Sequence, residues 1–182
     1  MSADKVLTLR EALEHFEIPK YDLLLVGDGS GTGWKQGIGW ACVLIEGGSY
    51  AREVVYGALS AGTVNLAEVW PYYHAMLWYL NGPWKPRRTR TTKHVYVITD
   101  SRIVAAQGNN QASRRLYGGV WADFDQWERE KNLKFHFRWL RRARLELNSF
   151  VDDLSRRSRL AMNLKQSESG RTLYDFSPDH AE

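Results

Sequence analysis

The chain has 182 residues, 43% of them hydrophobic and 25% charged, which suits one globular domain with a sizeable core. Its formal net charge is +4, and the basic residues cluster along the chain, so a polyanion is a candidate partner. A single cysteine, Cys42, excludes an intramolecular disulfide and a cysteine-based zinc site. No stretch approaches the roughly 20 apolar residues of a membrane span, and the start lacks a signal-peptide core, so we expect a cytoplasmic protein that does not bind membranes.

The first 20 residues predict a short amphipathic helix ahead of the main domain. Thr8 and Glu11 have the spacing of a capping box, in which each side chain bonds the backbone of the other. The apolar residues of this helix share one face at helical spacing and are Leu9, Ala12, Leu13 and Phe16. The surface that this face covers is left open by the sequence.

Three strands and a helix are predicted next. The strands span residues 21–26, 37–45 and 52–59, and the turns between them are short and rich in glycine. Consecutive strands joined in this way form an antiparallel meander. Apolar residues at helical spacing over 65–80 predict a helix that covers the meander and ends at Asn81-Gly82-Pro83.

The second half of the chain alternates strands with helices. A basic loop over 84–93 precedes a buried strand, and the predicted elements are a strand at 94–99, a helix from about 101, a helix at 120–131, a strand at 133–140 and a helix at 149–162. We therefore divide the chain into an N-terminal extension (1–20), an α/β domain (21–162) with helices on the faces of a mixed sheet, and a polar, loose tail (163–182).

Four carboxylates lie at the edges of predicted elements: Asp28, Glu68, Asp100 and Asp152. Like charges that come together in a fold disfavour one another, so an acid cluster usually implies cations, and Mg²⁺ prefers such oxygen ligands. Each acid also has a structural explanation. Asp28 precedes a glycine and fits a turn, whereas the other three fit the first turns or caps of helices.

Four short segments occur in an order that resembles type 1 ribonuclease H. They begin with Asp28-Gly29-Ser30-Gly31 and continue with residues 63–68, 97–101 and 148–154, so the resemblance covers about residues 21–160. It implies an α/β ribonuclease H-like fold, a mixed five-stranded sheet in the order 3-2-1-4-5 flanked by helices. It also implies an endonuclease that hydrolyses the RNA strand of RNA/DNA hybrids and leaves 5′-phosphate and 3′-hydroxyl ends.

The resemblance also implies a role for each acid. Two Mg²⁺ ions, with Mn²⁺ as a possible substitute, would be bridged by Asp28. Glu68 and Asp100 would complete the shell of one ion, and Asp152 would help to hold the other. The partner would be an RNA/DNA hybrid, and we expect the protein to be a monomer.

Two groups of residues are candidates for binding the substrate. By resemblance, Gly29, Ser30 and Asn65 would lie near 2′-hydroxyl groups and Thr63 near a phosphate of the DNA strand, although turn and cap roles explain the same residue types. A basic cluster just before the last motif could hold a phosphate backbone near the metals, with a solvated charged loop as the alternative. Arg138 begins this cluster, and the candidate substrate ligands in it are Arg141, Arg142 and Arg144.

Two departures from the family pattern stand out. Many members carry a histidine between the last strand and the last helix, whereas residues 141–147 contain none, so the chain is closer to branches that lack it, and Glu146 is a candidate helper. His136 is expected on a strand. Pro71 falls inside the predicted helix, and a helix that began near Trp70 would leave Glu68 in a loop, away from the metals.

Two other functions are kept open. A structure-selective DNA nuclease of the same fold, similar to junction resolvases, would be indifferent to the 2′-hydroxyl. A catalytically weak nucleic-acid-binding protein would bind without metal-dependent turnover.

Overall fold

A computed structural model describes residues 5–32, 37–85, 91–169 and 174–176. Part of the predicted basic loop, residues 86–90, lies outside this set. The elements in chain order are α1 (Leu9–His15), β1 (Leu23–Ser30), β2 (Ile38–Glu46), β3 (Arg52–Leu59), α2 (Val64–Asn81), β4 (Lys93–Thr99), α3 (Arg102–Gly108), α4 (Gly118–Lys131), β5 (Leu133–Trp139), α5 (Glu146–Ser169) and β6 (Tyr174–Phe176). In the described residues, no helix is long and apolar enough to span a membrane.

The strands form one mixed sheet in the order β5-β4-β1-β2-β3-β6. β1 pairs antiparallel with β2 and parallel with β4, and β4 pairs parallel with β5. The order of the first five strands confirms the 3-2-1-4-5 sheet that the sequence predicted. β6 was not predicted: it pairs with β3 from within the segment expected to be a loose tail, and α5 runs seven residues beyond its predicted end at 162.

The residues of β1 alternate between two hydrophobic clusters, one on each face of the sheet. Leu23 and Leu25 join the cluster that includes Tyr72 of α2 and Trp121 of α4. Leu24 and Val26 join the opposite cluster, which includes Val151 of α5 and the α1 residue Ala12. The N-terminal helix therefore packs on the face of the sheet that α5 also covers, and its predicted capping box between Thr8 and Glu11 is confirmed.

The helix α2 begins earlier than the Pro71 alternative allowed. Thr63 caps it, Val64 is its first residue, and Pro71 lies in its interior. A start near Trp70 is therefore wrong, and Glu68 is a helical residue. Proline has no N–H, so the carbonyl oxygen of Ala67, four residues earlier, lacks its usual helical donor. This turn of α2 packs closely against Gly29 of β1, where an added Cβ would lie 1.9 Å from that same oxygen.

Candidate metal centre

Two of the predicted acids meet where the parallel pairing of β1 with β4 ends. The last paired residues of the parallel ladder are Val26 and Ile98. Asp28 and Asp100 each lie two residues beyond that pair. Because parallel strands bring their carboxyl ends to the same edge of a sheet, the two side chains converge there.

A buried tyrosine on α2 bonds the backbone of both strands at this edge. The hydroxyl of Tyr72, on α2, donates to the carbonyl oxygens of Gly27 (2.8 Å) and Ile98 (3.2 Å). These carbonyls belong to β1 and β4, close to the two acids. Sequence analysis did not single out Tyr72. A tyrosine on the buried face of a helix needs a hydrogen-bond partner for its hydroxyl, and this requirement could have indicated its contact with the sheet.

The helix α2 contributes the third acid. Asp28, Glu68 and Asp100 each offer a carboxylate oxygen, and these atoms all lie within 4.8 Å of one another. Asp28 is buried, whereas the other two are half-buried. Three hard oxygen ligands in this space fit a divalent cation such as Mg²⁺ or Mn²⁺.

The fourth acid, Asp152, lies on α5 at the border of this group. Its two carboxylate oxygens accept hydrogen bonds from Arg142 Nη2 (2.7 Å) and Arg156 Nη2 (2.5 Å). The guanidinium of Arg142 also lies 3.9 Å from carboxylate oxygens of Asp28 and Asp100. The structure thus brings three predicted acids together directly and joins the fourth to them through an arginine.

The crowding of the acids changes their protonation. Burial, followed by the charges of Asp100 and Glu68, raises the pKa of Asp28 to about 8. Burial and the charge of Asp100 raise the pKa of Glu68 to about 7, and burial also raises the pKa of Asp100. Burial acts in the same direction on Asp152, but hydrogen bonding and charge from Arg142 lower its pKa overall. A cation among these groups would offset both the burial and the repulsion.

No family model matches this sequence, and no curated protein matches it. Solved structures do. The N-terminal ribonuclease H domain of Rv2228c from Mycobacterium tuberculosis superposes with a TM-score of 0.62 at 16% identity, over 79% of this chain and 96% of that one. The chain has the ribonuclease H fold.

Two further structures with this fold are ribonucleases H1. LC11-RNase H1, isolated from compost and solved in complex with an RNA/DNA hybrid, gives a TM-score of 0.61 at 17% identity over 76% of this chain and 97% of that one. The enzyme from the halophilic archaeon Halobacterium salinarum gives 0.54 at 16% identity over 75% and 96%. At these identities the likeness establishes the fold.

The residues predicted to bind substrate lie on β1, at the start of α2 and in the loop before α5. The Gly29 amide donates to Asp28 Oδ1 (2.8 Å), and Ser30 ends β1. Asn65 is exposed in the first turn of α2. The Thr63 hydroxyl accepts from the Leu66 amide (3.1 Å), the cap role that the sequence allowed, and it also contacts the Tyr117 hydroxyl.

The arginines of the 141–145 loop point in different directions. Arg142 reaches the acids, whereas Arg144 Nε donates to the carbonyl oxygen of Lys5 (2.8 Å). The Leu7 amide donates to the Arg144 carbonyl (2.7 Å), and the Leu7 carbonyl accepts from the Glu146 amide (3.0 Å). The N-terminal segment therefore pairs with the loop that carries Arg142. Sequence analysis missed this contact because it joins residues about 140 positions apart.

In the described structure, neither Glu146, the candidate for the role of the missing histidine, nor His136, expected on a strand, is hydrogen-bonded to the acids. Glu146 is exposed at the first position of α5. His136 stacks on Tyr96 with ring centroids 4.5 Å apart and bonds His94, its neighbour on β4. The charged group at the acids from this loop is Arg142.

Proposed function

We propose that this protein is a metal-dependent endonuclease of the type 1 ribonuclease H family that hydrolyses the RNA strand of RNA/DNA hybrids. The convergence of Asp28, Glu68 and Asp100 carries the proposal, because three buried or half-buried carboxylates need cations to be ionised together. The fold supports it, since the similar structures are ribonuclease H domains and one of them holds an RNA/DNA hybrid.

In this proposal the four acids hold two divalent ions. Asp28 would bind both, Glu68 and Asp100 would complete the shell of one, and Asp152 would serve the other once Arg142 no longer holds it. Two Mg²⁺ ions, or Mn²⁺ in their place, would supply an activated water and would neutralise charge on the leaving oxygen. The products would carry 5′-phosphate and 3′-hydroxyl ends.

The chain's own groups would orient the hybrid around the acids. The backbone at Gly29 and the side chains of Ser30 and Asn65 are proposed to meet 2′-hydroxyl groups, which distinguish RNA from DNA. Thr63 and the basic cluster of Arg141, Arg142 and Arg144 are proposed to meet phosphates. We also propose that the protein acts as a monomer in the cytoplasm.

Cleavage of labelled nucleic acids tests this function. The substrates are RNA/DNA hybrid, duplex RNA, duplex DNA and branched DNA, each with Mg²⁺, with Mn²⁺ and with chelator. We expect cleavage of the hybrid's RNA strand only, in the presence of metal, and a loss of at least about a hundredfold in Asp100→Asn and Asp152→Asn. Asp153→Asn is the matched control, because Asp153 is adjacent, exposed and paired with Arg157 instead of Arg142.

Each other outcome has a distinct meaning. Cleavage of branched DNA without regard to the 2′-hydroxyl would favour the resolvase-like alternative. Binding of the hybrid without metal-dependent cleavage would favour a nucleic-acid-binding protein. Equal activity losses in Asp152→Asn and Asp153→Asn would contradict the role given to Asp152.

A further inference from the structure

The guanidinium of Arg142 lies among three of the four acids. It donates to Asp152 at 2.7 Å, and its nitrogens lie 3.9 Å from oxygens of Asp28 and Asp100. The side chain is otherwise largely exposed, at 68% of its full area. One flexible cation thus faces the same carboxylates that a divalent ion would need.

The backbone holds Arg142 in this place. The loop turns tightly, with the Arg144 amide donating to the Arg141 carbonyl (3.1 Å), and Ala143 has a left-handed φ of 60°. This conformation is energetically unfavourable for a residue with a Cβ such as Ala143, so surrounding contacts must stabilise it. The backbone bonds of Leu7 to Arg144 and Glu146 provide such contacts from the N-terminal segment.

When no metal is bound, a positive side chain near the acids reduces their mutual repulsion. Asp28 is buried, and its neighbours Glu68 and Asp100 are carboxylates of the same sign. A guanidinium presents several N–H donors in a fixed fork and stays charged, so it can serve several carboxylates at once. It can also leave without breaking the fold, because it stands on a loop and is mostly exposed.

We propose that Arg142 is the resident counter-cation of the acid cluster and that a divalent metal must displace it to bind. This inference rests on the proposed metal-dependent function. Displacement frees both Asp152, as a metal ligand, and the guanidinium, which can then bind a phosphate. Arg142 accordingly lowers the affinity of the free protein for metal.

Titration of the full-length, metal-free protein with Mn²⁺ by calorimetry, without nucleic acid, tests this inference. We expect Arg142→Gln to bind Mn²⁺ about tenfold more tightly than the wild type, equivalent to about 1.4 kcal/mol. Arg142→Lys keeps the charge but loses the fork, so its affinity should fall between the two. Arg157→Gln is the control. It also removes one positive charge, but Arg157 lies on α5 and pairs with Asp153, so the affinity for Mn²⁺ should change less than twofold.

Thermal unfolding gives a readout that does not depend on activity. Without metal, Arg142→Gln should melt at a lower temperature than the wild type, because the acids lose their counter-cation. Saturating Mn²⁺ should then raise its melting temperature by more than it raises that of the wild type. Arg157→Gln should show neither change.

The outcomes separate this inference from the function on which it rests. Mn²⁺ binding by Arg142→Gln that is equal to or weaker than that of a metal-binding wild type overturns the displacement alone. Failure of both the wild type and Arg142→Gln to bind Mn²⁺, even at millimolar concentration, overturns the metal centre and the displacement together.

Discussion

At the scale of single residues, Tyr72 links the core to the acids. Its hydroxyl is buried and bonds one carbonyl of β1 and one of β4 at the end of their parallel ladder. Asp28 follows Gly27 directly, and Asp100 lies two residues after Ile98. The hydroxyl therefore fixes the two backbones from which these acids project, and it acts on the site through them.

We expect Tyr72→Phe to destabilise the protein by about 1–3 kcal/mol, because two buried carbonyls lose their donor. It should also weaken Mn²⁺ binding several-fold, since the acids are no longer held at a fixed separation. Urea unfolding and Mn²⁺ titration measure the two effects. Tyr73→Phe is the matched control: its hydroxyl donates to Asp123 (2.7 Å), away from the acids. Unchanged Mn²⁺ affinity in Tyr72→Phe would show that the hydroxyl serves stability alone.

At the scale of elements, the packing of α2 against β1 determines where Glu68 lies. Gly29 meets the carbonyl of Ala67, the residue before Glu68, and Gly27 meets Pro71 and Tyr72. These contacts leave no room for a Cβ at either glycine. Gly29, which the sequence predicted to bind substrate, is therefore also required for the packing of α2, the helix that carries Glu68.

We expect Gly29→Ala to destabilise the protein by about 2–4 kcal/mol, because its Cβ would overlap a backbone oxygen that cannot rotate away. The displaced start of α2 should move Glu68 and weaken Mn²⁺ binding. Gly31→Ala is the control, since its Cβ would lie 3.2 Å from the Ile38 Cγ2 methyl and 3.7 Å from the nearest atoms of Val64, without overlapping backbone. Denaturant unfolding and metal titration of both variants decide the matter. Similar losses in the two would contradict a specific role for the close contact at Gly29.

The pairing of the N-terminal segment with the 141–145 loop gives an element-scale prediction. In Leu7→Pro the donor to the Arg144 carbonyl is lost, so we expect faster amide hydrogen exchange across 141–147. The exchange of β1 amides should change little unless the whole fold is destabilised. Val6→Ala, at a residue that is 53% exposed, is the control. Unaltered exchange in the loop would mean that the segment does not hold it.

Much of the fold could be predicted from the sequence because the apolar residues recur at clear strand and helix spacings. Apolar runs of strand length, and the spacing of residues in α2, α4 and α5, were enough to predict the order of helices and strands. The strand β6 was missed because a polar tail carries no such period. The position of Glu68 was left open by Pro71, since propensity alone does not show that packing against β1 stabilises an interrupted helix.

For the site, the sequence predicted which acids converge but could not predict their protonation or partners. Those properties depend on burial and on distances that only the folded chain sets. Arg142 was proposed as a phosphate ligand from its place in a basic cluster. Its contact with three acids became visible only when the loop and the N-terminal segment were seen together.

At the scale of the whole molecule, the acid cluster gives stability an unusual dependence on pH. The pKa of Asp28 is raised to about 8 and that of Glu68 to about 7, so these two carboxyls bind more protons in the folded protein than in the unfolded chain. Burial lowers the pKa of His136 to about 4, which has the opposite effect below its ordinary value of 6.5. The free energy of unfolding of metal-free protein should therefore fall as pH rises from about 6.5 to 8. A carboxylate whose pKa is lowered by folding has the opposite effect, because it makes the free energy of unfolding rise with pH.

Urea unfolding between pH 5 and 8.5, with chelator and with saturating Mg²⁺, measures this dependence. We expect a loss of about 1–3 kcal/mol without metal, and a much smaller loss with Mg²⁺, because a bound cation favours the ionised acids. Asp28→Asn should reduce the loss in chelator. A metal-free wild type whose stability rises steadily to pH 8 would contradict the raised pKa values.

The pairing of β6 with β3 affects how these molecules behave toward one another. β6 opposes only Tyr56–Ala58, so in the described part of the chain the first residues of β3 have no strand beyond them in the sheet. An open strand edge offers backbone donors and acceptors to any other chain in solution. Here that stretch begins with the charged residues Arg52 and Glu53, which a pairing strand of another molecule would have to accommodate. β6 thus covers one end of this edge of the sheet, and charged residues at the other end disfavour pairing with the strand of another molecule.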